Sequence, residues 1–419
     1  MNSSGIRVLW VGGVLAAALT LDACNCGVPF VSLVGTDGVA TRVAAMPVPD
    51  GRAVHPGLVA RQTGGFVVAA TTPPRVGLCL GIICTDDISL LVLGAWDDAG
   101  AQRWTFTTAH NDAPGFVTLR ALTTLGGGEI MVVAHCLGNA EVRVDDDDVA
   151  LPQGHFVLVI DDDGAAIAVR ALPALDADEF FFERVFLAPL GDGALLVQGS
   201  SVDRNVSLVS LDARGEELRQ LATDISEIDA VEVRSDGAVA VLSRGVFQER
   251  QPGDEEARTP MQLDIVTDTA LETLERIDLI DAVAQFSPRI AFVDDGGFVL
   301  ADMQGPSQAE LTVERRGPGQ EVIWSAAFPA ELTAGKLMVL GDHVVLAGPF
   351  FGDPEAPVEV GDSVVGGNED TRFVLVLSLA TGGIVHVASA PMPTDSSELE
   401  AAAADAAVVG DRVVVMGAF

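Results

Sequence analysis

Three histidines, a cysteine and a run of aspartates stand close together in the chain. They are His110, His135, Cys136 and His155, with Asp145, Asp146, Asp147 and Asp148 forming an unbroken acidic run ahead of His155. Imidazoles and a thiolate suit a transition metal, whereas carboxylates alone suit Ca²⁺. The candidate metal ligands are therefore His110, His135, His155, Asp145 and Asp147. Their spacing matches no specific metal signature, and the plainer reading is a solvated acidic loop flanked by hydrogen-bonded histidines at strand ends. The acidic turns at 161–164 and 294–297 lack the alternating ligands and terminal Glu of an EF-hand. Asp-Gly there serves the backbone. Other chemistry is not legible: no Gly-x-Ser-x-Gly elbow and no phosphate loop occur, and carboxylate pairs for glycoside cleavage are too abundant to single out.

The elements that must position these residues are strands. Residues 30–46, FVSLVGTDGVATRVAAM, are two apolar runs around a Gly-containing turn, the pattern of a β-hairpin. The pattern returns at 90–108, 156–172, 206–223, 262–279, 310–328 and 373–390. Between the copies lie seven runs too apolar to have a solvated face, each following a tight turn, at Gly64, Gly128, Gly193, Gly237, Gly296, Asp342 and Asp411. They recur roughly every 45 to 70 residues, the period of propeller blades rather than helical solenoids. Six of them are followed by a hairpin. The seventh, at Asp411, is not, while the hairpin at residue 30 has no apolar run before it. The expected fold is all-β, a seven-bladed β-propeller of four-stranded antiparallel blades, closed by N-terminal and C-terminal strands sharing the last blade. Long insertions at 72–87, 136–154, 244–260 and 349–372 fall between second and third strands, which makes that face the expected place for binding.

Ahead of the repeats, Arg7 precedes the apolar run 8–21, too short to span a bilayer and built as a signal-peptide core. It ends in LDAC, residues 21–24, which resembles a bacterial lipobox. The resemblance implies lipidation of Cys24, although Asp22 stands where a small neutral residue is usual; the alternative is ordinary cleavage near Ala23. The expected organisation is a signal peptide over 1–23, a lipidated tether over 24–29 and one propeller domain over 30–419. In an exported chain the other cysteines are disulfide candidates. Cys79 and Cys84 frame a short loop and are expected to close on each other, leaving Cys26 and Cys136 as a second pair.

Sixty acidic against 24 basic residues give a net charge of −36. Such a chain repels phosphate backbones and anionic bilayers, so nucleic acid is excluded as a partner. The hydrophobic fraction of 49% is enough for a large core.

Units such as DDAGAQRW at 97–104 resemble the β-propeller repeats of bacterial exported proteins, the seven-bladed repeat family and the related quinoprotein-like repeats. Residues 344–379 carry the closest match. Trp104 and Trp324 occupy the docking position of those repeats, and other copies place Ala, Leu or Val there. The resemblance implies architecture and no catalytic residue, and its degeneracy argues against a quinone. The expected function is a non-enzymatic binding or scaffold module of the cell envelope, tethered to the outer membrane through its lipid and meeting a protein or polysaccharide on the insertion face. The competing expectations are a metal-assisted hydrolase or lyase on the same scaffold, and a scaffold in outer-membrane assembly.

Overall fold

Runs of β-branched and aliphatic residues broken by Gly and Asp turns leave the chain little choice but antiparallel pairing. The computed structural model describes residues 29–35, 40–45, 54–61, 63–72, 76–79, 82–85, 88–172, 184–199, 206–223, 227–244, 259–271, 274–284, 288–304, 310–350, 357–365, 371–391, 406–409 and 412–418; no helix occurs among them. Cys24 and Cys26, with the proposed signal and tether through residue 28, lie outside the described residues, as does most of the 244–260 insertion.

The first sheet is Val54–Ala60, Phe66–Thr71, Leu91–Trp96 and Gln102–Thr107, paired in that order. The second is built on Ala109–Thr124, Ile130–Val144, Gly154–Ile160 and Ala166–Ala171. Four more follow, each antiparallel and each in chain order. They are Arg184–Leu190 to Glu217–Thr223, Glu227–Val233 to Leu274–Ala284, Arg289–Phe292 to Val322–Pro329, and Lys336–Leu340 to Ile384–Pro391. The seventh is discontinuous in sequence. Ala406–Val409 pairs with Arg412–Ala418, which pairs with Pro29–Gly35, which pairs with Ala40–Ala45.

Middle strands such as Phe66–Thr71 and Gly154–Ile160 are buried on both faces, and fourth strands such as Glu217–Thr223 are largely exposed. Alternation explains how one strand serves two cores. Ile130, Val132 and Ala134 pack with Val67, Leu91 and Leu93 of the first sheet, while Met131 and Val133 pack with Ala194, Leu196 and Val209 of the third. The same sharing repeats from third to fourth, fourth to fifth and fifth to sixth sheets. First strands also touch in series. Val54–Ala60 meets Ala109–Thr124, and contacts then pass through Arg184–Leu190, Glu227–Val233, Arg289–Phe292, Lys336–Leu340 and Ala406–Val409 back to Val54–Ala60. Face-to-face stacking of four-stranded antiparallel sheets with first strands innermost is a propeller-like all-β fold.

Three of the insertions are more regular than their sequences suggest. Ile130–Val144 runs on past the third strand and turns back as Asp147–Ala150. Val76–Cys79 pairs with Ile82–Thr85, and Val358–Val360 pairs with Ser363–Val365. The last of these does not stand on the insertion face. Val360 and Val365 join the cluster of Trp324 and Phe328, and the two short strands touch the fourth strands Val322–Pro329 and Ile384–Pro391. The hairpin therefore folds along the outer edge between the fifth and sixth sheets.

Candidate functional site

The second sheet brings two of the candidate ligands together. His135 and His155 are directly opposite in register, and their rings meet edge to face with centroids 4.7 Å apart. Neither is on the rim: His135 is 2% exposed and His155 5%. His135 shares a strand face with Met131 and Val133, so the pair looks into the gap between the second and third sheets. Burial, the His135 ring and the Arg120 charge push the His155 imidazole down to about 4. Burial and then Arg120 also lower His135. Both rings are thus neutral at neutral pH. The same Arg120 field opposes a metal cation at this position.

The remaining candidates are elsewhere. Asp145 and Asp146 form the two-residue tip of the Val144–Asp147 hairpin, with φ of 49° and 72°, the left-handed pair of a type I′ turn. The aspartate run is exposed throughout. From His135 to Asp145 the chain advances ten positions, on the order of 30 Å at ~3.3 Å per strand residue. Small polar residues with left-handed tolerance suit such a tip, so the run has a backbone role. His110 sits opposite Ala140 in the register, and its side chain lies outside the described residues. Among the described residues no three His, Cys, Asp or Glu side chains form a group that could hold a metal.

Cys136 points the other way from His135, into the core shared with the first sheet, and is a free thiol with no exposed surface. Burial raises its pKa, against a smaller opposing effect of a backbone hydrogen bond at Ala140. Cys79 is opposite Ile82, and Cys84 is opposite Gly77, so the two cysteines occupy diagonal positions of one small hairpin. Their side chains lie outside the described residues.

The best-defined polar cluster joins the first sheet to the second, and sequence reading missed it. Arg61, with a fully buried side chain, donates to the Asp162 carboxylate. Thr63 donates to the same oxygen at 3.1 Å, and Trp104 Nε1 donates to the Asp162 carbonyl at 2.9 Å. Burial alone would raise the Asp162 carboxyl; hydrogen bonds from Arg61 and Thr63, with the charges of Arg61 and Arg103, bring it below its usual value. Beside it, Asp161 Oδ1 accepts the backbone N–H groups of Asp163 and Ala165. Asp97 and Asp212 make the same pair of bonds in their own turns. These aspartates organise turns, as the Asp-Gly pattern predicted. The Arg61–Asp162 link spans 101 positions, and no local signal marks it.

A second joint of the same design connects the fifth and sixth sheets. Trp324 Nε1 donates to the Leu379 carbonyl at 2.8 Å, and Arg315 donates to that oxygen at 2.9 Å. Each indole also lies against a glycine in the next sheet's last turn. A Cβ at Gly164 would come within 2.7 Å of Trp104, and one at Gly382 within 2.6 Å of Trp324.

No family model and no curated protein matches the chain. Among solved structures it is similar to a protein of unknown function from Dyadobacter fermentans, at 12% identity over 87% of this chain and 95% of that one, TM-score 0.41. A NanB sialidase mutant from Streptococcus pneumoniae matches at 7% identity over 79% of this chain, TM-score 0.35; this chain spans 60% of its length. A Synechocystis apocarotenoid oxygenase mutant matches at 11% identity over 81% of this chain and 64% of that one, TM-score 0.33. At such identities these likenesses bear on neither activity nor ligand.

Proposed function

We propose that the chain is an exported lipoprotein whose seven-bladed β-propeller serves as a binding or scaffold module at the cell envelope. The fold reading is supported by the cyclic contacts of the first strands and by the seventh sheet drawn from both ends of the chain. The lipoprotein reading is supported by the apolar run at 8–21 and the LDAC that follows. One observation joins the two. Pro29, five positions after Cys24, is opposite Ala418 in the seventh sheet, where the other sheets carry their insertions between second and third strands. The tether and the insertions leave the sheets at the same end.

Five residues of chain reach at most about 17 Å. A lipid on Cys24 would hold the insertion side close to the bilayer, so a protein or polysaccharide bound there would be one that lies at the membrane surface. Substituting Cys24→Ser and fractionating cells tests the tether. The expected result is loss of a radiolabelled fatty acid and release of the folded protein from the membrane fraction. Retention in the membrane without label would sink the lipoprotein reading.

A further inference from the structure

Of the seven main sheets, six take their strands from consecutive parts of the chain, so covalent continuity keeps third and fourth strands beside the second. The seventh has no such continuity. There Pro29–Gly35 and Ala40–Ala45 form a hairpin whose only strand pairing with the other described residues runs along Arg412–Ala418, from Pro29 opposite Ala418 to Gly35 opposite Arg412. The eight residues between Ala45 and Val54 join the hairpin to the first sheet and reach at most about 28 Å when extended. The hairpin can therefore leave its place without undoing a strand of any other sheet.

Each half of that sheet is incomplete alone. Without the hairpin, Arg412–Ala418 keeps only Ala406–Val409 as a neighbour, and its apolar, β-branched sequence RVVVMGA presents a free edge to a strand of matching register. Without that edge, a two-stranded hairpin is marginal in water. The pairing that completes both halves is the same whichever copy of the chain supplies the hairpin. Closure within one chain thus gains no contact that closure between two chains lacks. Its advantage is the effective concentration imposed by the connection, on the order of millimolar for a short one.

We propose that the seventh sheet is an exchange interface between copies of this chain: the hairpin at 29–45 of one copy completes the sheet of a second, and the second returns the exchange in a reciprocal dimer. The partner is fixed by the ladder itself, since a second copy supplies the same strand in the same register. The charge of −36 on each copy opposes the approach of two bodies, and salt screens that repulsion beyond about 8 Å at physiological strength. Added salt therefore favours the exchanged form. The proposal rests on the pairing of the seventh sheet and is independent of Cys24 and the tether.

Two single variants, Val31→Cys and Met416→Cys, provide the test, because the two positions are opposite one another in the register. Each is made in the full chain, purified in detergent, with Cys24, Cys26, Cys79 and Cys84 replaced by serine so that only the buried Cys136 remains. One variant carries an affinity tag. The two are unfolded together, refolded at two concentrations about 100-fold apart, and then oxidised; disulfide-linked pairs of tagged and untagged chains are expected, about tenfold or more abundant in the concentrated sample. Ser32→Cys with Val415→Cys repeats the experiment one position along, since neighbouring pairs alternate between hydrogen-bonded and non-hydrogen-bonded geometry. A chain carrying both cysteines of a pair should close on itself as a monomer, and failure of both double variants to do so would remove the pairing and the proposal with it. Linkage of Val31→Cys to the exposed position Asp342→Cys in equal yield would reduce the result to random collision. Absence of linked pairs from the concentrated sample would show that each hairpin closes only its own sheet; either result overturns the proposal.

Discussion

Trp104 on the outer strand of the first sheet donates its indole N–H to the carbonyl of Asp162 in the last turn of the second, at 2.9 Å. Trp324 repeats the arrangement on Leu379 at 2.8 Å, four sheets further along the chain. In both joints the indole covers a left-handed glycine of the receiving turn, Gly164 with φ +90° and Gly382 with φ +70°. A β-carbon would strain the turn and strike the ring.

Truncating Trp324 to Ala should therefore destabilise the protein by about 3–5 kcal/mol, the usual cost of removing a buried indole. Trp324→Phe keeps most of the apolar surface and loses the hydrogen bond, for about 1 kcal/mol. Gly164→Ala should cost at least about 1–2 kcal/mol through backbone strain and collision with Trp104. Urea denaturation measures all three; equal stability of Trp324→Ala and wild type would show that the joint is idle.

Arg61 has no exposed side-chain surface, and Asp162 is its carboxylate partner. Removing the partner leaves a buried cation uncompensated. Asp162→Ala should cost about 3 kcal/mol, at the lower end for broken buried pairs because Asp162 itself is partly open to water. Replacing both residues, with Arg61→Met and Asp162→Ala together, should recover part of that loss. A double-mutant cycle on denaturation free energies reads the coupling directly.

Acid should weaken the fold in two separate windows. His155 titrates near 4 when folded, against an ordinary value of 6.5, so the unfolded chain takes up its proton first. Its contribution is intact above pH 6.5 and is lost progressively as pH falls from there towards 4. Asp162 has a folded pKa below the ordinary aspartate value of 3.8, so its contribution persists above that value and declines only as pH falls below it. His155→Leu is expected to reduce, without abolishing, the loss of melting temperature between pH 7 and pH 5, because His135 is also held below its ordinary value, while leaving the lower window in place. An unchanged slope between those pH values would assign the acid sensitivity to other groups.

Cys136 should resist thiol reagents in the native state, since burial both shields the sulfur and raises its pKa. Mass spectrometry after brief alkylation should find Cys136 unmodified when folded and modified in denaturant. Exposed Asp147, in contrast, should tolerate Ala at a cost of under about 0.5 kcal/mol, whereas Asp145→Ala, at a left-handed position with φ of 49°, should cost about 1 kcal/mol; a Ca²⁺-dependent melting temperature lost in Asp147→Ala would return the acidic run to a ligand role.

How much of this was written locally in the chain follows from the range of each interaction. Strand alternation and turn residues act over a few positions, so the hairpins and the pairing of Phe30 with the C-terminal strand could be anticipated from pattern and order alone. Pattern places His135 and His155 near one another, and these two do meet, although His135 lies inside the strand Ile130–Val144 and not at its end. Their orientation could not be foreseen, because a one-residue change of register decides whether His135 faces the next sheet's core or the opposite one. The aspartate run was misleading for a related reason: Glu141 to Val144 alternates like a strand, so the acidic residues cap a hairpin tip instead of filling an open loop. Arg61 and Asp162, far apart in sequence, belong to tertiary structure and had no counterpart in the linear pattern.

The seventh sheet also sets a timetable for biogenesis. Pro29–Gly35 emerges early in synthesis, yet one of its two partners, Arg412–Ala418, is the last translated of the described strands. Until then the first-made strand has only its hairpin mate at Ala40–Ala45, and an isolated two-stranded hairpin is marginal in water. Closure of this sheet must therefore wait until residues 412–418 have been made. A ribosome-bound chain keeps its seventh sheet unclosed, and Pro29–Gly35 stays accessible until Arg412–Ala418 is there to pair with it.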